Sequence, residues 1–259
     1  MSDTGFRTRR PPPPFRTVEV VSSTPRTPLL QRVVVGGDSL DGFVISEPAS
    51  SLRVVVPWPD EPFSVPTWTG NEFLLDDGRR PALRTFTPVQ FDPEANELTL
   101  DVVNHAHGTI SQWAQRAQPG DRCAVSGPGK GEEIDQSASR YVLLGDETAL
   151  PAIEQLLAAI PKTIEVEAQL EITTPAAQLN LPTGSNTSIT WRVADRDTPP
   201  GSTLIDTIKT TDLDEHSRVW AAGEAASVQA IRKHLFNERG VPRAHTTIRG
   251  YWKVPRSAD

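Results

Sequence analysis

At 259 residues, of which 37% are hydrophobic and 23% charged, the chain has the makeup of a globular protein and the length of two modest domains rather than one, which excludes a largely disordered polymer. Acidic residues outnumber basic ones by 33 to 26, and the net charge of -7 speaks against non-specific nucleic-acid binding. Cys123 is the only cysteine, so neither an intramolecular disulfide nor a cysteine-ligated iron–sulfur cluster is available.

Residues 1–15 are basic and proline-rich and contain Pro11-Pro12-Pro13-Pro14, which predicts a flexible, extended tail. No apolar run approaches the roughly 20 residues of a membrane helix, and the N-terminus lacks the apolar stretch of a signal peptide. A cytoplasmic protein without membrane insertion is expected.

From residue 16 to 128 short β-type runs recur, at 17–21, 32–35, 52–56, 98–103 and 122–125, separated by turn signals such as Gly36-Gly37-Asp38, Asp76-Asp77-Gly78 and Pro119-Gly120-Asp121. With one helix near 110–117 they predict a small closed antiparallel β-barrel, whose mouth is a natural ligand site. Gly127-Pro128-Gly129-Lys130-Gly131 leads into a linker over 129–138. Thereafter strands at 140–144, 164–172, 188–193, 218–222 and 246–251 alternate with helices at 149–159, 203–209 and 225–238. That rhythm predicts a second domain over 139–259, an α/β fold with a mostly parallel, Rossmann-like sheet that binds ligands beyond the carboxyl ends of its strands.

Five segments carry chemistry. Arg84-Thr85-Phe86-Thr87-Pro88 combines a cation, a flat apolar ring and a hydroxyl. The segment from His105 through Gly108, Thr109 and Ser111 to Trp113 and Ala114 opens a helix whose first amides are an anion site. Gly145-Asp146-Glu147-Thr148 and Ala222-Gly223-Glu224-Ala225 are strand-to-helix turns; Asp146 and Glu147 read as ordinary caps, Gly223 permits close backbone approach, and Glu224 reads first as a cap and second as a ligand contact. The last, Arg249-Gly250-Tyr251-Trp252-Lys253, joins aromatics to two cations. His105 and His107 are two apart, but no third ligand at suitable spacing makes a metal site of them. No Gly-x-Ser-x-Gly elbow supports a serine hydrolase.

In this order the five segments resemble the siderophore-interacting protein family, flavin-dependent ferric-siderophore reductases of the ferredoxin-NADP reductase superfamily, over about residues 18–253. The resemblance implies an FAD site of Arg84, Phe86, Thr87, Pro88, His105, Gly108, Thr109, Ser111, Trp113 and Ala114. It places Asp146 and Thr148 beside both flavin and nicotinamide and Gly223 and Glu224 by the nicotinamide of NADPH or NADH, counts Trp252 among the cofactor contacts, and gives Lys253, with Arg249, Lys130 and Arg53 as weaker partners, to the incoming ferric siderophore. Phe86 stands where the family usually has tyrosine, Val89 replaces a frequently basic residue, and the loop between His105 and Ser111 is one residue shorter than usual. The implied activity is transfer of electrons from NAD(P)H through FAD to siderophore-bound Fe(III), releasing iron in the cytoplasm, with no protein acid or base required. A reductase serving ferredoxin or flavodoxin, and a non-catalytic siderophore-binding module, are the competing readings. Thr173 and Thr174 fall where the nucleotide ribose is expected, with Arg192 and Arg196 within reach of a 2′-phosphate. A monomer is expected.

Overall fold

The computed structural model describes residues 11–105 and 108–255 of the chain. Two compact units are present. The first comprises Gln31–Ile45, Ser51–Lys130 and the chain up to Thr24; the second comprises Pro25–Leu30, Ser46–Ser50 and the chain from Gly131 onward.

The first unit is built on β1 (Arg16–Thr27), β2 (Leu30–Gly36), β3 (Leu52–Val56), the two-residue pair β4 (Thr67–Trp68) and β5 (Phe73–Leu74), β6 (Ala82–Phe86), β7 (Pro88–Asp92), β8 (Glu97–Val103), helix α1 (Thr109–Arg116) and β9 (Arg122–Ser126). Seven strands form one sheet in the order β6-β3-β9-β1-β2-β8-β7. Its two edge strands, β6 and β7, are joined through Thr87 alone, so the ends of the ladder lie one residue apart in the chain and the sheet rolls into a barrel-like form. Alternation builds the interior. Val18 and Val20 on β1 are buried while Glu19 and Val21 face outward, and Val33, Val35, Leu52, Val54, Leu98, Leu100 and Cys123 join them in one cluster. Each such aliphatic side chain stabilises the fold by about 1.5–3 kcal/mol on burial. Asp101 is buried on the other face of β8 and takes two hydrogen bonds from the Arg32 guanidinium, 2.8 and 3.0 Å long, which satisfies an otherwise costly charge.

Two strands escape the sequence pattern. Over β6 and β7 the exposed Arg84 and Thr85 and the intervening Pro88 hide the period of two, and pairing with β3 and β8 decides the conformation instead. The end of the expected flexible tail is anchored. The Pro13 carbonyl accepts a 2.6 Å hydrogen bond from Ser126 Oγ, and the Phe15 ring meets Phe73 edge-on at 5.0 Å; residues 1–10 of that tail lie outside the described residues.

In the second unit β10 (Arg140–Gly145), β11 (Glu165–Ile172), β12 (Thr187–Val193), β13 (Ser217–Glu224) and β14 (Thr246–Trp252) pair in parallel in the order β12-β11-β10-β13-β14. Helices α2 (Leu150–Ala159), α3 (Ser202–Thr210) and α4 (Ala225–Lys233), the last continued by a π-helical turn over His234–Glu238, provide the crossovers. Val142 and Leu144 of β10 pack with Leu204, Ile208 and Ile231 of α3 and α4. The alternate residues face α2, where Gly145 leaves room for Ala149 and Ile153. The chain leaves β10 toward β11 and β12 and returns on the other side as β13, so the order reverses between β10 and β13. A crevice outside the carboxyl ends of those two strands is the expected ligand position in such a sheet. Among the described residues no helix is long and apolar enough to cross a membrane.

Candidate functional site

In the barrel unit, β6 pairs with β3 so that Phe86, Arg84 and Ala82 lie opposite Leu52, Val54 and Val56 on one face. Along that face burial runs out: Ala82 is buried, Phe86 is half-buried against the barrel core, and Arg84 is exposed with Nη1 donating to the Leu83 carbonyl at 2.7 Å. The structure therefore keeps an exposed cation beside a partly exposed aromatic ring. Thr87 and Pro88 are buried where the chain crosses from β6 to β7. Helix α1 packs against β6 and begins after Gly108, which has no side chain with which to cap it; among the described residues α1 has no side-chain cap. Its first amides are thus open to an outside acceptor.

The loop before α1 is held by Ser111, whose buried hydroxyl accepts from the His105 amide at 2.8 Å and donates to the His105 carbonyl at 3.1 Å. The exposed His105 ring lies over Gly108, where a Cβ would push it aside, and half-buried Thr109 follows as the first helical residue. Ala106 and His107 lie outside the described residues. Trp113 and Ala114 belong to the barrel core at 6% and 0% exposure. Ile110, Trp113 and Ala114 stand at the i, i+3, i+4 spacing of an inward helix face, a signal of packing that the sequence already carries. Two buried polar atoms of this region, Asn104 Oδ1 and Trp113 Nε1, have no hydrogen-bond partner among the described residues.

In the α/β unit the turn after β10 is organised by one carboxylate. Asp146 Oδ1 accepts from the Thr148 amide at 2.9 Å and the Thr148 hydroxyl at 2.5 Å, while Oδ2 accepts from the Glu224 amide at 3.1 Å and the Trp252 indole N–H at 2.7 Å. Burial pushes the Asp146 carboxyl up to about 6, against the hydrogen bonds from Thr148 and Trp252 that favour its charged form; the Glu147 carboxylate adds to the rise. Glu224 is a cap, as read first from the sequence: Oε2 accepts from the amides of Ala226 at 2.5 Å and Ser227 at 3.1 Å, and Oε1 from that of Val254 at 3.3 Å. Gly223 leaves space for the Asp146 carboxylate. Glu147 accepts from the Thr173 amide, tying the ends of β10 and β11 together.

The four cations differ. Lys253 and Lys130 are exposed and make no hydrogen bond or ion pair among the described residues. Arg249 donates to the carbonyls of Ala49 at 3.4 Å and Gly131 at 3.2 Å, so its guanidinium holds loops. Half-buried Arg53 lies opposite Thr85, on the other face of the β3–β6 ladder from Arg84, with its guanidinium 5.9 Å from the Phe73 ring centre.

Residues 19–132 match the family model described as the siderophore-interacting FAD-binding domain, and residues 138–254 match that of the siderophore-interacting protein. The chain belongs to the siderophore-interacting protein family. A siderophore utilization protein from T. fusca superposes with a TM-score of 0.83 and 32% identity, covering 96% of this chain and 95% of that one. An NADPH-dependent ferric-chelate reductase of Escherichia coli is 27% identical over 92% of each chain. The ferric vibriobactin reductase ViuB of Vibrio cholerae is 28% identical over 89% of this chain and 86% of its own. Within this siderophore-interacting protein, sequence reasoning found the two turns of the α/β unit but not the Asp146–Trp252 hydrogen bond that links them to the last strand, since its partners are 106 positions apart.

Proposed function

We propose that this protein is an FAD-dependent NAD(P)H:ferric-siderophore reductase that frees iron in the cytoplasm. The observation that carries the proposal is the uncapped start of α1 packed against β6, the strand that leaves Arg84 and Phe86 open. Unpaired amides and a guanidinium suit a pyrophosphate, and an accessible ring suits a flat aromatic system. The family match to an FAD-binding domain over residues 19–132 and the kinship to a ferric-chelate reductase support the same reading. The barrel unit fits the group on its own residues.

FAD, when bound, would accept two electrons from a pyridine nucleotide and deliver them one at a time, which Fe(III) requires. The chain's own contribution is placement. Arg84 and the amides of Thr109 to Ser111 hold phosphate, with the Ser111 hydroxyl bracing the loop through His105. Phe86 offers its ring, and Thr87 with Pro88 fixes the β6–β7 crossing that presents it. In the α/β unit the Thr148 turn and the Gly223 strand end frame the crevice for the nicotinamide nucleotide. Arg192 and Arg196, exposed at the end of β12 and just beyond, are suited to a 2′-phosphate and would favour NADPH. Lys253 draws in an anionic ferric chelate. Reduction to Fe(II) weakens the grip of hard oxygen ligands, and no side chain need transfer a proton.

The test is anaerobic mixing of the purified protein with NADPH and then with either a ferric siderophore or an oxidised carrier such as ferredoxin. A yellow protein that bleaches with NADPH and regains colour with the ferric siderophore, and not with oxidised ferredoxin, supports the reading. A colourless protein that binds ferric siderophore would point to a non-catalytic module instead.

A further inference from the structure

The last strand of the α/β unit ends in an unusual way. Trp252 is 37% exposed, Lys253 is exposed and Val254 is 45% exposed, so apolar packing fixes this stretch only in part. Two buried acidic side chains add to its hold. Asp146, 7% exposed, accepts the Trp252 indole N–H at 2.7 Å, and Glu224, 4% exposed, accepts the Val254 amide at 3.3 Å; the two bonds straddle Lys253. The pairing of β13 with β14 also shifts here: Gly223 lies opposite Gly250, but Glu224 lies opposite Trp252, leaving Tyr251 as the extra residue of a bulge. A bulge re-aims the side chains that follow it. Gly223 makes room for this arrangement, because a Cβ there would come within 2.6 Å of Asp146 Oδ2.

The cap that Glu224 gives α4 and the turn that Asp146 organises use three amides and a hydroxyl among their donors besides the link between the two acids, and need neither the Trp252 indole nor the Val254 amide. Those two further bonds fix the position of the strand end. We propose that Asp146 and Glu224 form a clamp on Trp252 and Val254 that fixes where Lys253 stands, making both acids positioning residues for an anionic ferric chelate. This inference rests on the reductase reading given above. Its chemistry is specific: the clamp acts on the encounter with a negatively charged chelate and works only through the Lys253 ammonium.

The experiment uses the holoenzyme, ferric citrate as the anionic chelate and trypsin as a structural probe. Asp146→Asn turns an amide N–H₂ toward one pair of donors, and Trp252→Phe removes the indole donor while leaving Asp146 intact, so the second variant serves if the first folds poorly. Each variant is expected to raise KM for ferric citrate roughly fivefold to tenfold, more than it raises KM for NADPH. Lys253→Met should do the same, and W252F combined with K253M should be no worse than K253M alone, because all three act through one ammonium group. In W252F and D146N trypsin should cut after Lys253 faster than in the unaltered protein, a result independent of turnover. Losses from W252F and K253M that multiply, or cleavage after Lys253 at an unchanged rate, would overturn the clamp. If the unaltered holoenzyme does not reduce ferric citrate or a ferric siderophore, the reductase reading itself fails, and the role assigned to Lys253 fails with it. An impaired K253M beside normal D146N and W252F sinks the clamp alone.

Discussion

Gly223 lies so close to Asp146 that a Cβ at position 223 would stand 2.6 Å from Oδ2, and its φ of +155° is one that side chains with a Cβ rarely adopt. Two independent reasons thus require glycine at the end of β13. Gly223→Ala should destabilise the protein by about 2 kcal/mol or more, through backbone strain and displacement of the Asp146 carboxylate from its four donors. Urea unfolding followed by far-UV circular dichroism measures this. A loss below about 0.5 kcal/mol would show that the turn re-forms without its central contact.

Asp146 should leave a pH signature in stability. Its carboxyl is pushed from 3.8 up to about 6, mainly by burial, so the folded state holds the proton more tightly than the unfolded chain does. The stability this gives is complete below about pH 3.8 and is lost as pH rises through about 6. Compared with Asp146→Asn, whose amide does not titrate, the unaltered protein should lose roughly 3 kcal/mol of relative stability between about pH 4 and 7. Parallel denaturation curves at several pH values check it, and a constant gap between the two proteins would contradict it.

Arg84 and Phe86 should govern flavin affinity separately. On the proposed placement of Arg84 at the phosphates, Arg84→Ala should weaken FAD binding roughly tenfold to a hundredfold, with a strong dependence on salt in the unaltered protein that the variant loses. Phe86→Ala removes a stacking surface worth about 1 kcal/mol and should weaken binding without altering the salt dependence. Fluorescence titration of the apoprotein with FAD separates the two.

Cys123 should be silent. It sits at 0% exposure in the barrel core, and burial, with the Asp121 charge adding to it, pushes the thiol up to about 12. In the folded protein at pH 8 it should resist a thiol reagent such as DTNB and react only on unfolding, because the thiolate is the reactive form. Prompt labelling of the native protein would place this residue outside the core.

Much of the fold was legible in the sequence. Short β-type runs bounded by turn residues marked β1, β2, β3, β8 and β9, and the change to strand-helix alternation after Lys130 marked the parallel sheet, because burial leaves an apolar pattern in the chain. Where burial is partial, that pattern fades. Strand β6 carries Arg84 and Thr85 exposed in its centre and β7 begins with a proline, so only pairing reveals them. The candidate site was legible as segments but not as a network. Glu224 could be read as a cap because a cap is local. The link from Asp146 to Trp252 and the grip of Arg249 on the Ala49 carbonyl, 200 positions away, depend on topology and leave no local trace. Trp113 shows the reverse: its helical spacing from Ile110 announces a core residue even inside a motif that carries chemistry.

The most direct measurement of the reductase account is the ratio of iron reduced to nucleotide oxidised. With the purified holoprotein, a ferric siderophore, NADPH and an Fe(II)-specific chromogenic chelator under anaerobic conditions, about two Fe(II) should appear per NADPH consumed, since each nucleotide carries two electrons and each Fe(III) takes one. No Fe(II) formation by a flavin-loaded protein, or NADPH oxidation that proceeds at the same rate without the ferric siderophore, would contradict it.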